Sequence, residues 1–366
     1  MIMMLPIKPS IGSDPEFFIF LRKKKSESQQ IISADKILPG KMNKYQTNGG
    51  KAFFDGVQAE INPDPNTCRE SFINHIKVCL TDVYKLATNK YPNHIVDFAP
   101  LPSIKIKPED VKGADNECLR FGCSPDSNIY TEEKIEYPDG KKFMTRFSGG
   151  HIHLGFNDIR QLKEMRDPDK LYNLVRGFDS IAGIISTAIH KDDESERIRR
   201  KWYGQAGTYR IQNHGIEYRT LSSFWLSNPF TTSLFTALIR DALILVYNKK
   251  EDEYLFDNLD ENEVRRIINN GDYKNAIRIY KEVLLPMYDK INISGVPLTI
   301  KYIREFLKML MEKGYSNVFS PYKMLNYWDI KEPSLNKFET TYGIRYLSKD
   351  YEHKIFNAKD IKTLGD

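Results

Sequence analysis

The stretch Arg146-Phe-Ser-Gly-Gly-His-Ile-His-Leu-Gly-Phe156 decides how the rest of the chain is read. Residues two apart on a β-strand point to the same face. His151 and His153 therefore share one face, with Ile152 and Leu154 on the other. Two glycines before the first imidazole allow a close approach of backbone or ligand. A lone histidine would be read as a hydrogen-bonded core residue. Two on one face, in a glycine-rich frame, point to contact with a ligand or a phosphate.

The same alternation occurs in three other segments. Asp14-Pro-Glu16 opens an apolar run, Phe17 to Phe20, that anchors a strand in the core. Gln58-Ala-Glu60-Ile-Asn62 places three polar side chains on one face. Glu217-Tyr-Arg219 does the same for an acid and a guanidinium. If the four strands share a sheet, Asp14, Glu16, Glu60 and Glu217 meet two imidazoles and Arg219 on one face. Such a face is too charged for a packed core unless something is bound to it. Oxygen donors in a row suit a hard cation, Mg²⁺ or Mn²⁺, and the excess of acids over imidazoles disfavours zinc.

Between the second and fourth positions of that face lies a basic stretch. Arg199, Arg200, Lys201, Arg210 and Arg219 fall within one strand-turn-strand segment. The guanidinium is a planar fork that stays charged, which suits phosphoryl oxygens. Four carboxylates balance two divalent cations, and the arginines are then left for a polyphosphate. Two metals and an arginine set are what phosphoryl transfer requires.

The composition sets bounds. The chain has 366 residues, with 54 Lys and Arg against 49 Asp and Glu, a net charge of +5. The basic residues are dispersed, which argues against a nucleic-acid binder. Residues 1–10 lack the charged lead and long apolar core of a signal peptide. The apolar helix candidate 233–247 is interrupted by Arg240 and Asp241 and reads as too short to span a bilayer. A cytoplasmic location is expected, without membrane partners. Four cysteines in so long a chain do not make a disulfide framework, and Cys118 and Cys123 lack a second pair at zinc spacing.

The first half reads mainly as strands and loops, with a helix over 71–89 and a long turn-rich excursion over 109–139. The second half is more helical. A helix is expected over 171–190, and further helices run from Pro229 to about residue 313, with breaks near Gly271 and 293–297. The organisation expected is a catalytic part, 1–228, and a mainly helical part, 229–366, packed on the same domain.

Taken in order, the four segments resemble the glutamine synthetase and glutamate–cysteine ligase superfamily, and within it the phage-type COOH–NH2 ligases (amidoligases). Asp14-Pro-Glu16-Phe-Phe-Ile-Phe is similar to the acid-x-acid strand, with Asp in place of the usual first Glu. Gly150-His-Ile-His153 resembles the Gly-x-His-x-His strand, one residue shorter before the first His, and Ile216-Glu-Tyr-Arg219 the Glu-x-Arg strand. The resemblance runs from about residue 11 to 225.

It implies an α+β fold, a strongly curved antiparallel sheet whose concave face is the active site, backed by helices. It implies ATP and two Mg²⁺ or Mn²⁺ ions. Glu16 and Glu60 would bind one ion, and Asp14, His151 and Glu217 the second. His153 would lie near the phosphates or the substrate, with Arg146 and Arg200 on the nucleotide. Arg210 and Arg219 would hold the γ-phosphoryl group and the acyl-phosphate. A further acid present in many members has Asp55 as its candidate here. The activity implied is ATP-dependent ligation of a small-molecule or peptide carboxylate to an amine, and a homo-oligomer is compatible with it. A metal-dependent amidase, or a binding protein on a retired ligase fold, are the alternatives.

Overall fold

The computed structural model describes residues 9–24, 28–119, 127–131, 143–291, 298 and 301–331. The expected break at 293–297, Cys123, much of the 109–139 excursion and the tail beyond 331 lie outside these residues. Among the described residues, the N-terminal part supplies β1 (Ser10–Ser13), β2 (Glu16–Lys23), β3 (Gln29–Ile32), β4 (Tyr45–Thr47), β5 (Gly50–Asp55) and β6 (Gln58–Pro63). After the helix Arg69–Lys90 come β7 (His94–Ala99), β8 (Ser103–Lys105), β9 (Ser127–Asn128), β10 (Thr145–Phe147) and β11 (Ile152–Gly155). The last pair is β12 (Thr208–Gln212) and β13 (Gly215–Tyr218).

The strands pair antiparallel in open sheets. One sheet runs β1-β11-β13-β12-β9, a second runs β3-β2-β6-β5-β4 with β7 also paired to β2, and β8 pairs with β10. The fold is therefore mixed α+β. The four polar segments do not share a single sheet. Histidine and Glu217 strands belong to the five-stranded sheet, whereas Glu16 and Glu60 face each other across β2 and β6 in the other. Asp14 and Pro15 lie between β1 and β2, so the chain crosses from one sheet to the other at Pro15. Backbone bonds close this seam: Glu16 N donates to Gly149 O at 3.0 Å and Ile61 N to Pro15 O at 3.3 Å.

β2 is central because Phe17, Phe18 and Ile19 are fully buried on both of its faces. The helix Arg69–Lys90 buries Phe72, Ile76, Cys79, Leu80 and Val83 against β5, β6 and β7, the spacing its sequence pattern predicted, with Ala87 rather than Leu86 buried at its end. The expected helix 171–190 starts earlier, at Pro168, because Asp167 caps it by accepting from Lys170 N at 3.3 Å. It continues through a π-turn, Asp179–Gly183, into Ile184–Ile189.

The apolar candidate 233–247 is the greater part of a helix that starts at Pro229, where the sequence placed the onset of the helices, and Asn228 caps it through Thr231 N at 3.0 Å. With mean hydropathy 1.4 over its best window, it is long and apolar enough by length and composition to cross a membrane. Yet 89% of that window is buried inside the protein, so it serves as a core helix. The core is one cluster that joins Phe17 and Phe98 to Leu243, Phe306 and Trp328. Gly271, in the left-handed conformation at φ 60°, ends the helix Glu261–Asn270 where the sequence placed a break.

Candidate active site

Two groups of ligand-type side chains flank the seam. The first is made of carboxylates alone. Antiparallel register sets Glu16 opposite Glu60, and the β5–β6 hairpin returns Asp55 beside Gln58. Oxygens of Glu16, Asp55 and Glu60 lie within 4.8 Å of one another. Glu16 Oε2 accepts from Gly149 N at 2.8 Å and from Gln58 Nε2 at 3.4 Å. Glu60 Oε1 accepts from Asn62 Nδ2 at 2.9 Å, and Lys41 Nζ donates to Asp55 Oδ2 at 2.6 Å. Burial, then the neighbouring Asp55 and Asp14 charges, pushes Glu16 up to about 8. The same causes, burial first and then Asp14, Asp55 and Glu16, hold Glu60 well above the carboxylate range. Three acids this close cannot all ionise without a cation among them.

The second group combines acids with imidazoles and guanidinium. In β11 and β13, His153 stands opposite Glu217, and Arg210 of β12 stands opposite Glu217 from the other side. Ligand atoms of Asp14, His153 and Glu217 lie within 4.8 Å of one another. His151 sits just before β11, with Nδ1 2.9 Å from Asp14 Oδ1 and Nε2 2.7 Å from the Tyr203 hydroxyl. Arg219 Nη1 reaches Glu217 Oε1 and lies 3.0 Å from His151 Nδ1, while Nη2 donates to Tyr203 Oη at 2.9 Å. Arg210 Nη1 lies 3.7 Å from Glu217 Oε1 and its side chain is 30% exposed. Gln212 Nε2 donates to the other oxygen of Glu217.

Here the charges are met locally. Burial acts to raise Asp14, but the His151 and His153 imidazoles outweigh it and hold the carboxyl well below its usual value. Burial and Asp14 would likewise raise Glu217, but His151 and Arg219 bring it below its ordinary value. Burial and Arg219 lower His151, whereas Asp14 overcomes burial at His153 and raises it.

Glycine permits the packing. A Cβ at Gly149 would lie 2.5 Å from His151 Nε2 and 3.1 Å from Tyr203 Oη. One at Gly150 would lie 2.2 Å from Ser222 O.

The structure therefore gathers Asp14, Glu16, Glu60, His151, His153, Arg210, Glu217 and Arg219 around the seam. Two expected arginines take other partners. Arg146, in β10, turns Nη1 to the carbonyls of Phe143 and Thr145, at 2.5 and 3.2 Å. Arg200 Nη1 donates to Gly204 O and Thr220 O, both at 2.7 Å. Beside it, Arg199 binds Ser148 O, Thr220 O and Leu221 O at 2.8 to 2.9 Å, bracing the backbone on either side of His151 and Arg219. Tyr203 was not singled out in the sequence; its only signal was its place between the basic run and Gly204. Asp55 had its signal in Asp55-Gly56, which reads equally as a turn.

With this geometry in place, residues 93–316, more than half of the chain, match the family described as phage phiEco32-like COOH.NH2 ligase-type 2. The chain belongs to this family of COOH–NH2 ligases. Searches of curated proteins and of solved structures gave no match. The matched stretch of this ligase carries His151, His153, Tyr203, Arg210, Glu217 and Arg219, while Asp14, Glu16, Asp55 and Glu60 precede it.

Proposed function

We propose that this ligase joins a carboxylate to an amine at the expense of ATP, through an acyl-phosphate, on a glutamine-synthetase-like curved sheet. The observation that supports the reading most is the pair of ligand groups on either side of Pro15, one of them backed by Arg210 and Arg219. The donor set fits two hard divalent cations, Mg²⁺ or Mn²⁺. Oxygen predominates, and the Glu16, Asp55 and Glu60 cluster lacks the positive charge its ionisation demands. Glu16, Asp55 and Glu60 would hold one ion; Asp14, Glu217 and an imidazole would hold the other. Bound there, the ions would neutralise phosphate oxygens.

The protein's own groups supply the rest. Arg210, 30% exposed at the rim and 3.7 Å from Glu217, is the guanidinium placed to take a phosphoryl oxygen. Arg219 is buried and tied to Glu217 and Tyr203, so it holds a fixed positive charge beneath that position. Preorganised charge of this kind needs little rearrangement as charge develops on the transferring group. The substrate carboxylate attacks the γ-phosphorus and ADP leaves, giving the acyl-phosphate; the amine then attacks the acyl carbon, and phosphate and a proton leave. Arg146, Arg199 and Arg200 hold backbone carbonyls and so shape the site through the chain they brace.

The test is hydroxamate formation from a panel of carboxylates with hydroxylamine, ATP and Mg²⁺. Hydroxamate and ADP should appear together with the wild type and disappear with Glu60→Gln. Neither product above that control across the panel would overturn the reading.

A further inference from the structure

We propose that His153, rather than His151, supplies the imidazole to a divalent cation at the Asp14–Glu217 group, while His151 and Tyr203 are positioning residues behind it. This rests on the reading of the site as a cation site, and not on ATP or on the reaction.

Both histidines reach Asp14, but their surroundings differ. His151 is 2% exposed and has a close neighbour at each ring nitrogen. Asp14 Oδ1 faces Nδ1 at 2.9 Å and the Tyr203 hydroxyl faces Nε2 at 2.7 Å. Arg219 Nη1, which can only donate, also lies 3.0 Å from Nδ1, so this nitrogen is met either as an acceptor from Arg219 or as a donor to Asp14. Nε2 correspondingly donates to the Tyr203 oxygen in the first case and accepts from its O–H in the second. The phenolic oxygen in turn accepts from Arg219 Nη2 at 2.9 Å. In either tautomer both ring nitrogens of His151 are engaged by Arg219, Asp14 and Tyr203. Either way the lone pair of His151 already has a protein donor.

His153 is the complement. Its Nε2 is buried with no hydrogen-bond partner, although it lies 3.3 Å from Asp14 Oδ1. A ligand atom of His153 falls within 4.8 Å of those of Asp14 and Glu217. Its ring stacks on His214, with centroids 5.6 Å apart and planes at 14°, which fixes its orientation. An oriented, buried nitrogen without a partner, beside two carboxylates, is a ligand position; an imidazole whose two nitrogens already have protein partners is an outer support.

The experiment uses the full chain with Mn²⁺ alone. Protein labelled with ¹⁵N-histidine is examined by pulsed electron paramagnetic resonance, which registers nitrogen bonded directly to the ion. Wild type should show one coordinated imidazole. His153→Gln should lose that coupling, and His151→Gln and Tyr203→Phe should keep it. Loss in His151→Gln, or no coordinated nitrogen in the wild type, would overturn the proposal. Should His153→Gln fail to fold, His151→Gln decides alone, since retention assigns the ligand to His153 and loss assigns it to His151. Because neither nucleotide nor turnover enters, the result stands apart from the hydroxamate assay. Tyr203→Phe should also lower kcat with KM little changed, as expected for a group that orients Arg219 and Asp14.

Discussion

The two ligand groups differ in how they meet their own charge. At Asp14, His153 and Glu217, imidazoles and Arg219 are built in, and both acids are held down toward the ionised form. At Glu16, Asp55 and Glu60 the rim lysine Lys41 offsets too little of the charge, and two of the three carboxyls are pushed up. One group meets most of its charge from its own side chains and leaves His153 Nε2 open, whereas the other needs a cation or protons to meet its charge. The difference teaches that a cluster of acids need not behave as one site. Stability and ion binding should respond oppositely to change on its two sides.

The largest effect should come from breaking the side that carries its own positive charge. Glu217→Ala leaves Arg219 buried without its carboxylate, and removing one partner of a buried pair costs about 3–5 kcal/mol. Urea unfolding should show that loss, and hydroxamate formation should vanish with it. Next is Gly149→Ala. Its methyl would press on His151 and Tyr203, an overpacking that costs about 1–3 kcal/mol. The same Mn²⁺ spectra and unfolding curves would show whether only the Asp14 side is disturbed.

A pH series sharpens the contrast. In metal-free protein the Glu16 carboxyl titrates at about 8 against an ordinary 4.5. Its contribution to stability is therefore full below 4.5 and is lost as pH rises to about 8. Asp14 works the other way. Its contribution is full above 3.8 and is lost as pH falls through its lowered value. Urea midpoints measured with a chelator should fall between 4.5 and about 8, and Glu16→Gln should flatten that slope. Ion binding to this group should release protons, detected as a buffer-dependent heat at neutral pH. The smallest effect is expected for Lys41→Met. Its pair with Asp55 is 45% exposed on the lysine side, so stability should change by about 1 kcal/mol or less, and Mn²⁺ should bind a few-fold more tightly.

Much of this arrangement was legible in the sequence because period-two alternation states which side chains share a local face. It brought out Asp14, Glu16, Glu60, both histidines, Glu217 and Arg219. Alternation carries no information on which strands pair, so it could not show that Asp14 and Glu16 serve two sheets. Nor could it show depth. Arg146 and Arg200 have the chemistry of phosphate ligands, but burial leaves them facing backbone carbonyls that also need donors. Tyr203 was invisible for the opposite reason, since a tyrosine beside a basic run has many ordinary uses until the fold sets it between an imidazole and a guanidinium. The π-turn at Asp179 had no sequence signal; there, the Asp179 carboxylate takes the hydroxyls of Tyr218 and Tyr130 at 2.6 and 3.0 Å behind the Glu217 strand.

Pro15 gives the seam a further meaning. Asp14 and Glu16 answer to different sheets, yet a single ring-locked residue separates them. Two residues of extended chain span at most about 7 Å, and proline removes one of the few torsions that could vary that span. The interval between the two half-sites is thus a covalent gauge. Sheets can slide or breathe against each other, but the pitch at which this molecule presents two charges to a substrate is written in bonds rather than in packing.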